Sequence, residues 1–241
     1  MRIKLKFDID NGELFLPFSY YHYLQAILYK SMGDNISIDY HTKVGVKNIA
    51  FSNLFGEYSI NKKSKELIFK NHVTWYITST NDELIQKIAN NFTKQRTVSI
   101  FHQNITLSEL EISFETVKKN TILIETLSPI TVHETILDDS GKNKTKYFTP
   151  NDLEFAELIN QNLCSKKESL GIPTSINDKI DIVALSDIKK VIVTYKNFII
   201  EGYQGIFVLK GSIDDLNLLY NAGIGCKNTH GFGMFRIIEN D

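Results

Sequence analysis

A histidine bracketed by lysines is the first chemistry legible in this chain. It stands in Tyr40-His41-Thr42-Lys43-Val44-Gly45-Val46-Lys47, a polar loop ahead of the apolar Ile49-Ala50-Phe51. An imidazole titrates near neutral pH and can give or take a proton. A nearby lysine can stabilise negative charge that develops during a reaction. The plain alternative is a solvated loop histidine. A second concentration lies near the C-terminus, in Gly223-Ile224-Gly225-Cys226-Lys227-Asn228-Thr229-His230-Gly231-Phe232-Gly233, where four of the chain's 13 glycines fall in eleven positions. A glycine-rich loop can turn several N–H groups into one concavity, which suits an anion such as phosphate. Lys227 adds a charge there, and Asn228, Thr229 and His230 add hydrogen-bonding side chains. The alternative is a helix-to-strand connection whose backbone needs positive φ. No G-x-x-x-x-G-K-[ST] is present, which excludes a Walker P-loop. The helix-to-strand order excludes a dinucleotide fingerprint.

The elements that must position these residues follow from periodicity and turn residues. Residues 2–10 alternate as a strand, and Leu16-Pro17-Phe18 introduces an amphipathic helix over about 19–32, closed by Gly33. Strands are expected over 48–55, 66–71 and 73–79. A helix capped by Asn81 follows to about 91, with strands over about 97–117. That order, βαββαβ, is the ferredoxin-like pattern. Lys118-Lys119-Asn120 reads as a boundary. Beyond it come a strand over 121–127, a polar loop over 138–146, a helix from Thr149-Pro150 to about Cys164, β-rich segments between 180 and 210, a helix opened by Asp214 and Asp215, and a last strand over 232–238. The fold class is therefore α+β, with two tandem ferredoxin-like βαββαβ domains, residues 1–118 and 119–241.

Composition narrows the function classes. The 241 residues are 42% hydrophobic and 23% charged, ordinary for a soluble globular protein. No run is long enough to span a membrane, and the N-terminus reads as a strand rather than a signal peptide, so a cytoplasmic protein without membrane contact is expected. Cys164 and Cys226 have no metal-ligand spacing, and no His, Cys or Asp cluster suggests a metal. The net charge is −1, so any nucleic-acid binding must come from a local basic face. His22, His72, His102 and His133 read as structural, and Tyr195, Phe198, Tyr203 and Phe207 as core aromatics.

The C-terminal G-x-G-x-x-x-x-x-G-F-G followed by an apolar strand resembles the CRISPR-associated repeat-processing endoribonucleases, the sixth Cas family within the RAMP superfamily. The N-terminus carries a similar likeness in Tyr20-Tyr21-His22-Tyr23-Leu24-Gln25, Ile27-Leu28-Tyr29, His41 and Phe51-Ser52-Asn53-Leu54-Phe55. Leu127-Ser128-Pro129-Ile130 resembles the family's opening of the second domain. The resemblance implies metal-independent cleavage of CRISPR repeat RNA, without cofactor, by attack of a 2′-OH on the adjacent phosphate. It implies His41 as general acid or base, Lys47 as charge stabiliser with Lys43 as its rival, and Tyr29 as positioning group. It also implies RNA contacts at Gly223, Gly225, Lys227, Asn228, His230, Gly231 and Gly233. Expected partners are the repeat RNA and other Cas proteins of an effector complex, around a monomer or homodimer. The alternative within the same likeness is a non-catalytic repeat-binding RAMP subunit.

Overall fold

The computed structural model describes residues 1–33, 45–138, 140–175, 178–185, 188–196 and 198–239. Strand β1 (Arg2–Pro17) buries Ile3, Leu5, Phe7 and Ile9 on alternate positions, and it is the centre of the first sheet. Helix α1 (Tyr21–Met32) buries Tyr21, Leu24, Leu28 and Met32, one stripe at helical spacing, and ends at Gly33 with φ +84°. Then come β2 (Ile49–Phe51), β3 (Tyr58–Asn61), β4 (Glu66–Ser79), α2 (Asp82–Lys94), β5 (Thr97–Ile100) and β6 (Gln103–Ser113). The Asn81 side chain accepts the Leu84 N–H at 3.0 Å and so caps α2.

The second half runs β7 (Thr121–Thr126), β8 (His133–Leu137), β9 (Asn143–Tyr147), α3 (Leu153–Ser169), β10 (Asp181–Ala184), β11 (Lys189–Tyr195), β12 (Phe198–Gln204), β13 (Ile206–Lys210), α4 (Ile213–Ala222), a 3₁₀ turn (Asn228–His230) and β14 (Phe235–Glu239). The strand orders are β2-β4-β1-β6-β5, with β3 on β4, and β10-β13-β7-β14. Each sheet thus has its second, third, first and fourth principal strands side by side, all antiparallel. This is the double ferredoxin-like fold that the element order anticipates.

Boundaries differ from the sequence expectation in several places, three of them instructive. Residues 66–79 form one strand, although the polar Asn71-His72 suggests a break; Asn71 sits at φ +62°, a local irregularity within the strand. Part of the expected loop over 138–146 is instead strand β9, paired with β8 as a hairpin. Helix α3 continues to Ser169, because Lys166 and Lys167 face inward rather than ending it in solvent.

Packing crosses between the halves. Trp75, Phe51 and Phe69 centre one core and Phe155, Phe207 and Phe235 the other, yet Val193, Tyr195 and Ile200 of the β11–β12 hairpin, and Phe232, pack in the first. The hairpin leaves the second sheet and lies against the first half. That placement builds the site.

Candidate functional site

The glycine loop is closely packed. Helix α4 stops at Gly223, whose φ is +84°. The Ile224 N–H donates to Gly233 O at 2.8 Å, and the Gly233 N–H to Pro129 O at 2.8 Å, closing the loop's two ends on each other. The Cys226 N–H reaches Thr131 O at 2.9 Å, and the Gly231 N–H reaches Asn228 O at 3.1 Å. Asn228, itself buried, donates its side-chain amide to Ile224 O at 3.1 Å and Phe232 O at 3.0 Å. A Cβ on Gly233 would stand 1.9 Å from Ile224 O, and one on Gly225 2.6 Å from Thr131 O. All four glycines are buried, and the amides of Gly223, Gly231 and Gly233 are committed to carbonyls of the protein. Glycine is required because backbone meets backbone. What the loop presents outward is its half-buried side chains: Lys227, Thr229 and His230.

The loop rests on the motif residues of the first half. A Cβ on Gly231 would touch the Phe51 ring at 2.7 Å and the Tyr21 ring at 2.8 Å, so the loop lies directly on both. Tyr21 stacks on Phe232 with centroids 5.6 Å apart and donates its hydroxyl to Asn53 at 2.6 Å. One turn along α1, Gln25 donates to the Thr229 carbonyl at 2.7 Å and accepts the hydroxyl of Tyr195 from β11. The Tyr195 ring meets the His230 ring edge-on at 4.6 Å. The N-terminal and C-terminal motifs, about two hundred residues apart in sequence, are one contact surface.

Tyr29 follows Gln25 by four residues, hence on the same helix face. Burial raises its phenol pKa, opposed by hydrogen bonding to Thr229 and Gln25. The Thr229 hydroxyl also lies 3.3 Å from His230 Nδ1, so it stands between the phenol and the imidazole. His230 is held down to about 4 by burial and then by Lys227, Lys47 and Lys196. Burial lowers the Lys47 ammonium pKa and pushes the Tyr195 phenol up to about 12, with Tyr29 adding to the effect. At neutral pH the cluster therefore holds uncharged imidazole and phenols within a field of lysines. It can donate hydrogen bonds and offer positive charge to an anion, and its imidazole can accept a proton.

Of the residues expected from sequence, Tyr29, Lys47, Lys227 and His230 come together here. His41 and Lys43 lie outside the described residues. Gly223, Gly225, Gly231, Gly233 and Asn228 shape the loop from within. As site residues, Gln25, Tyr195 and Lys196 escape the sequence reading: Gln25 enters it only within a motif, Tyr195 only as a core aromatic, and Lys196 not at all. Gln25 could be found from its spacing to Tyr29. Tyr195 could not, because nothing local shows that its hairpin crosses to α1. Among the described residues, no group of three or more His, Cys, Asp or Glu could hold a metal ion.

Comparison with known proteins agrees with this architecture. The chain is 24% identical to CRISPR-associated endoribonuclease Cas6 1 of Methanocaldococcus jannaschii, across 100% of this chain and 94% of that one. A solved structure described as a Cas6-related gene from Pyrococcus furiosus superposes with a TM-score of 0.89 at 23% identity, covering 100% of this chain and 99% of that one. Another, an RAMP protein binding different RNA substrates, gives a TM-score of 0.86 at 23% identity, with 99% and 100% covered. These two likenesses speak to the fold. The family model for the C-terminal part of the CRISPR associated protein Cas6 matches residues 112–237, more than half of the chain and the whole of the glycine loop. The chain belongs to the Cas6 family.

Proposed function

We propose that this protein is a metal-independent endoribonuclease that cuts CRISPR repeat RNA in precursor transcripts. Its Cas6 membership and the endoribonuclease named among its relatives support the activity class. The observation that carries the mechanism is the convergence of Tyr29 and Lys47 from the first half on Lys227 and His230 of the glycine loop. In the reaction, the ribose 2′-oxygen bonds to the adjacent phosphorus as its proton passes to a base. The bond from phosphorus to the 5′-oxygen breaks as that oxygen receives a proton. The products are a 2′,3′-cyclic phosphate and a 5′-OH. His41 serves one of the two proton transfers. Lys47 offsets charge on the phosphorane, and its partly desolvated ammonium acts more strongly than it would in water. Tyr29 orients the strand by its hydroxyl. Residues 1–118 supply this chemistry, and residues 119–241 supply the glycine loop through which Lys227 and His230 meet RNA.

Incubation with repeat RNA in excess chelator tests the reading. Cleavage is expected with the wild type, with a loss of about 10²–10⁴ in rate for His41→Ala and no cut when the 2′-OH at the site is replaced by hydrogen. Scission that persists in the 2′-deoxy substrate refutes the mechanism. A second reading is a repeat-binding RAMP subunit without catalysis. Tight binding of the repeat with no product after long incubation would establish it.

A further inference from the structure

Among the described residues, the charges that bear on His230 come from three directions and share one sign. Lys227 belongs to the glycine loop, Lys47 stands just ahead of β2, and Lys196 follows the end of β11. Lys196 and Lys227 both hold left-handed backbone, at φ +53° and +56°. A lysine seldom adopts that conformation unless its surroundings impose it. Among the described residues, the other groups around the ring are uncharged at neutral pH: the Tyr195 ring at 4.6 Å, the Thr229 hydroxyl at 3.3 Å, and beyond Thr229 the Tyr29 phenol. Lys227 bears equally on His133, whose Nδ1 is buried without a partner among the described residues, and on the Cys226 thiol. Positive charges gathered round a desolvated imidazole oppose its protonation, and an anion placed among them reverses that field.

We propose that Lys47, Lys196, Lys227 and His230 form a single phosphate seat in which His230 takes up a proton as the phosphate settles. The inference rests on the RNA reading above and adds to it a residue of the β11–β12 hairpin and a proton. The free, neutral ring donates from one nitrogen only; after uptake it is cationic and donates from both. The proton comes from solvent, so binding and pH are linked. The free imidazole is held at about 4. Between that value and the higher one in the complex, affinity rises by up to tenfold for each unit fall in pH.

The seat is tested with two probes on the full chain. Inorganic sulfate, whose charge is constant across the range, is titrated while the imidazole resonances of the wild type are followed by NMR. The His230 midpoint is expected to move up by more than one unit with sulfate, and by less in Lys196→Gln. A 2′-O-methylated repeat oligonucleotide, which binds but cannot be cut, is measured from about pH 7 down to about pH 4.5. The wild type should show the slope, and His230→Gln, which donates a hydrogen bond but takes no proton, should lose it. An imidazole at residue 230 that ignores sulfate, or a slope that survives His230→Gln, overturns the proposal. Failure of the oligonucleotide to bind at all overturns the functional reading instead, and a sulfate response in that case still upholds the seat.

Discussion

Lys166 lies inside the second core and donates to the Gly225 carbonyl, a neutral acceptor, at 2.7 Å. Its neighbour Lys167 meets Asp178 at 2.7 Å and Asp215 at 2.8 Å. Burial therefore pulls the Lys166 pKa down to about 8 from its ordinary 10.5. Below pH 8 both folded and unfolded chains carry this proton, and the full cost of a buried charge is present. Between pH 8 and 10.5 the unfolded chain binds more protons than the folded one, so the cost is relieved as pH rises. Lys166→Met keeps the length of the side chain and removes the charge. Relative to that variant, the wild type should gain about 2 kcal/mol of stability between about pH 7.5 and pH 9.5. Urea midpoints of both proteins at the two pH values measure it. Equal changes in the two would mean that Lys166 is not desolvated. The variant also tests how far the glycine loop depends on this internal tether, since it leaves the Gly225 carbonyl without its ammonium donor.

Among the elements, the glycine loop carries the sharpest expectation, because two glycines share one dihedral and differ only in surroundings. Gly141 and Gly233 both sit at φ +76°, but a Cβ at 141 meets nothing within 4 Å while one at 233 collides with Ile224 O. Gly141→Ala should cost about 1–2 kcal/mol, the left-handed penalty alone. Gly233→Ala should cost several-fold more or fail to give folded protein, as a thermal unfolding series would show. Similar midpoints for the two would mean that the loop is looser than its backbone contacts indicate. The same loop marks what sequence can carry. Its position, the order of elements and the two ferredoxin-like halves were legible because apolar periodicity and turn residues are local. Its role was only half legible: glycine density signals an unusual backbone but does not say whether the amides face a ligand or another strand. The β8–β9 hairpin was lost in part because Asn143-Lys144-Thr145-Lys146 is exposed on both faces and shows no apolar alternation. Helix α3 was cut short because Lys166 and Lys167 read as a solvated end. Tyr29 and Lys47 came from family resemblance. The join of Gln25, Tyr195 and Thr229 depends on packing between halves, which no window of sequence contains.

At the scale of the whole molecule, the site exists only while the two halves stay in register, and Arg2 is placed to keep them so. It leaves the first strand of the first sheet and is buried against the second half, with its guanidinium carbon 3.3 Å from the centroid of the Tyr220 ring. It donates to Phe235 O at 2.6 Å and to the Tyr220 carbonyl at the C-terminal end of α4, just ahead of the glycine loop. Burial lowers its pKa to about 10, with Tyr220 and Glu115 opposing the shift, so it remains a cation at neutral pH. A cation–π contact and bonds to two carbonyls fix the distance between sheets more tightly than apolar packing alone. Arg2→Met should cost about 3 kcal/mol, since two buried carbonyls lose their donor. It should also uncouple the halves. The chain's single tryptophan, Trp75, is buried in the first core and so reports that half alone, while far-UV circular dichroism reports both. In the wild type the two urea transitions should coincide, the mark of one cooperative unit. In Arg2→Met they should separate, and cleavage should fall even in conditions where both halves remain folded, because Tyr29 and His230 belong to opposite sides of the join. Transitions that stay superimposed at an unchanged midpoint would assign the coupling to the apolar contact of Ala50, Leu127 and Met234 instead.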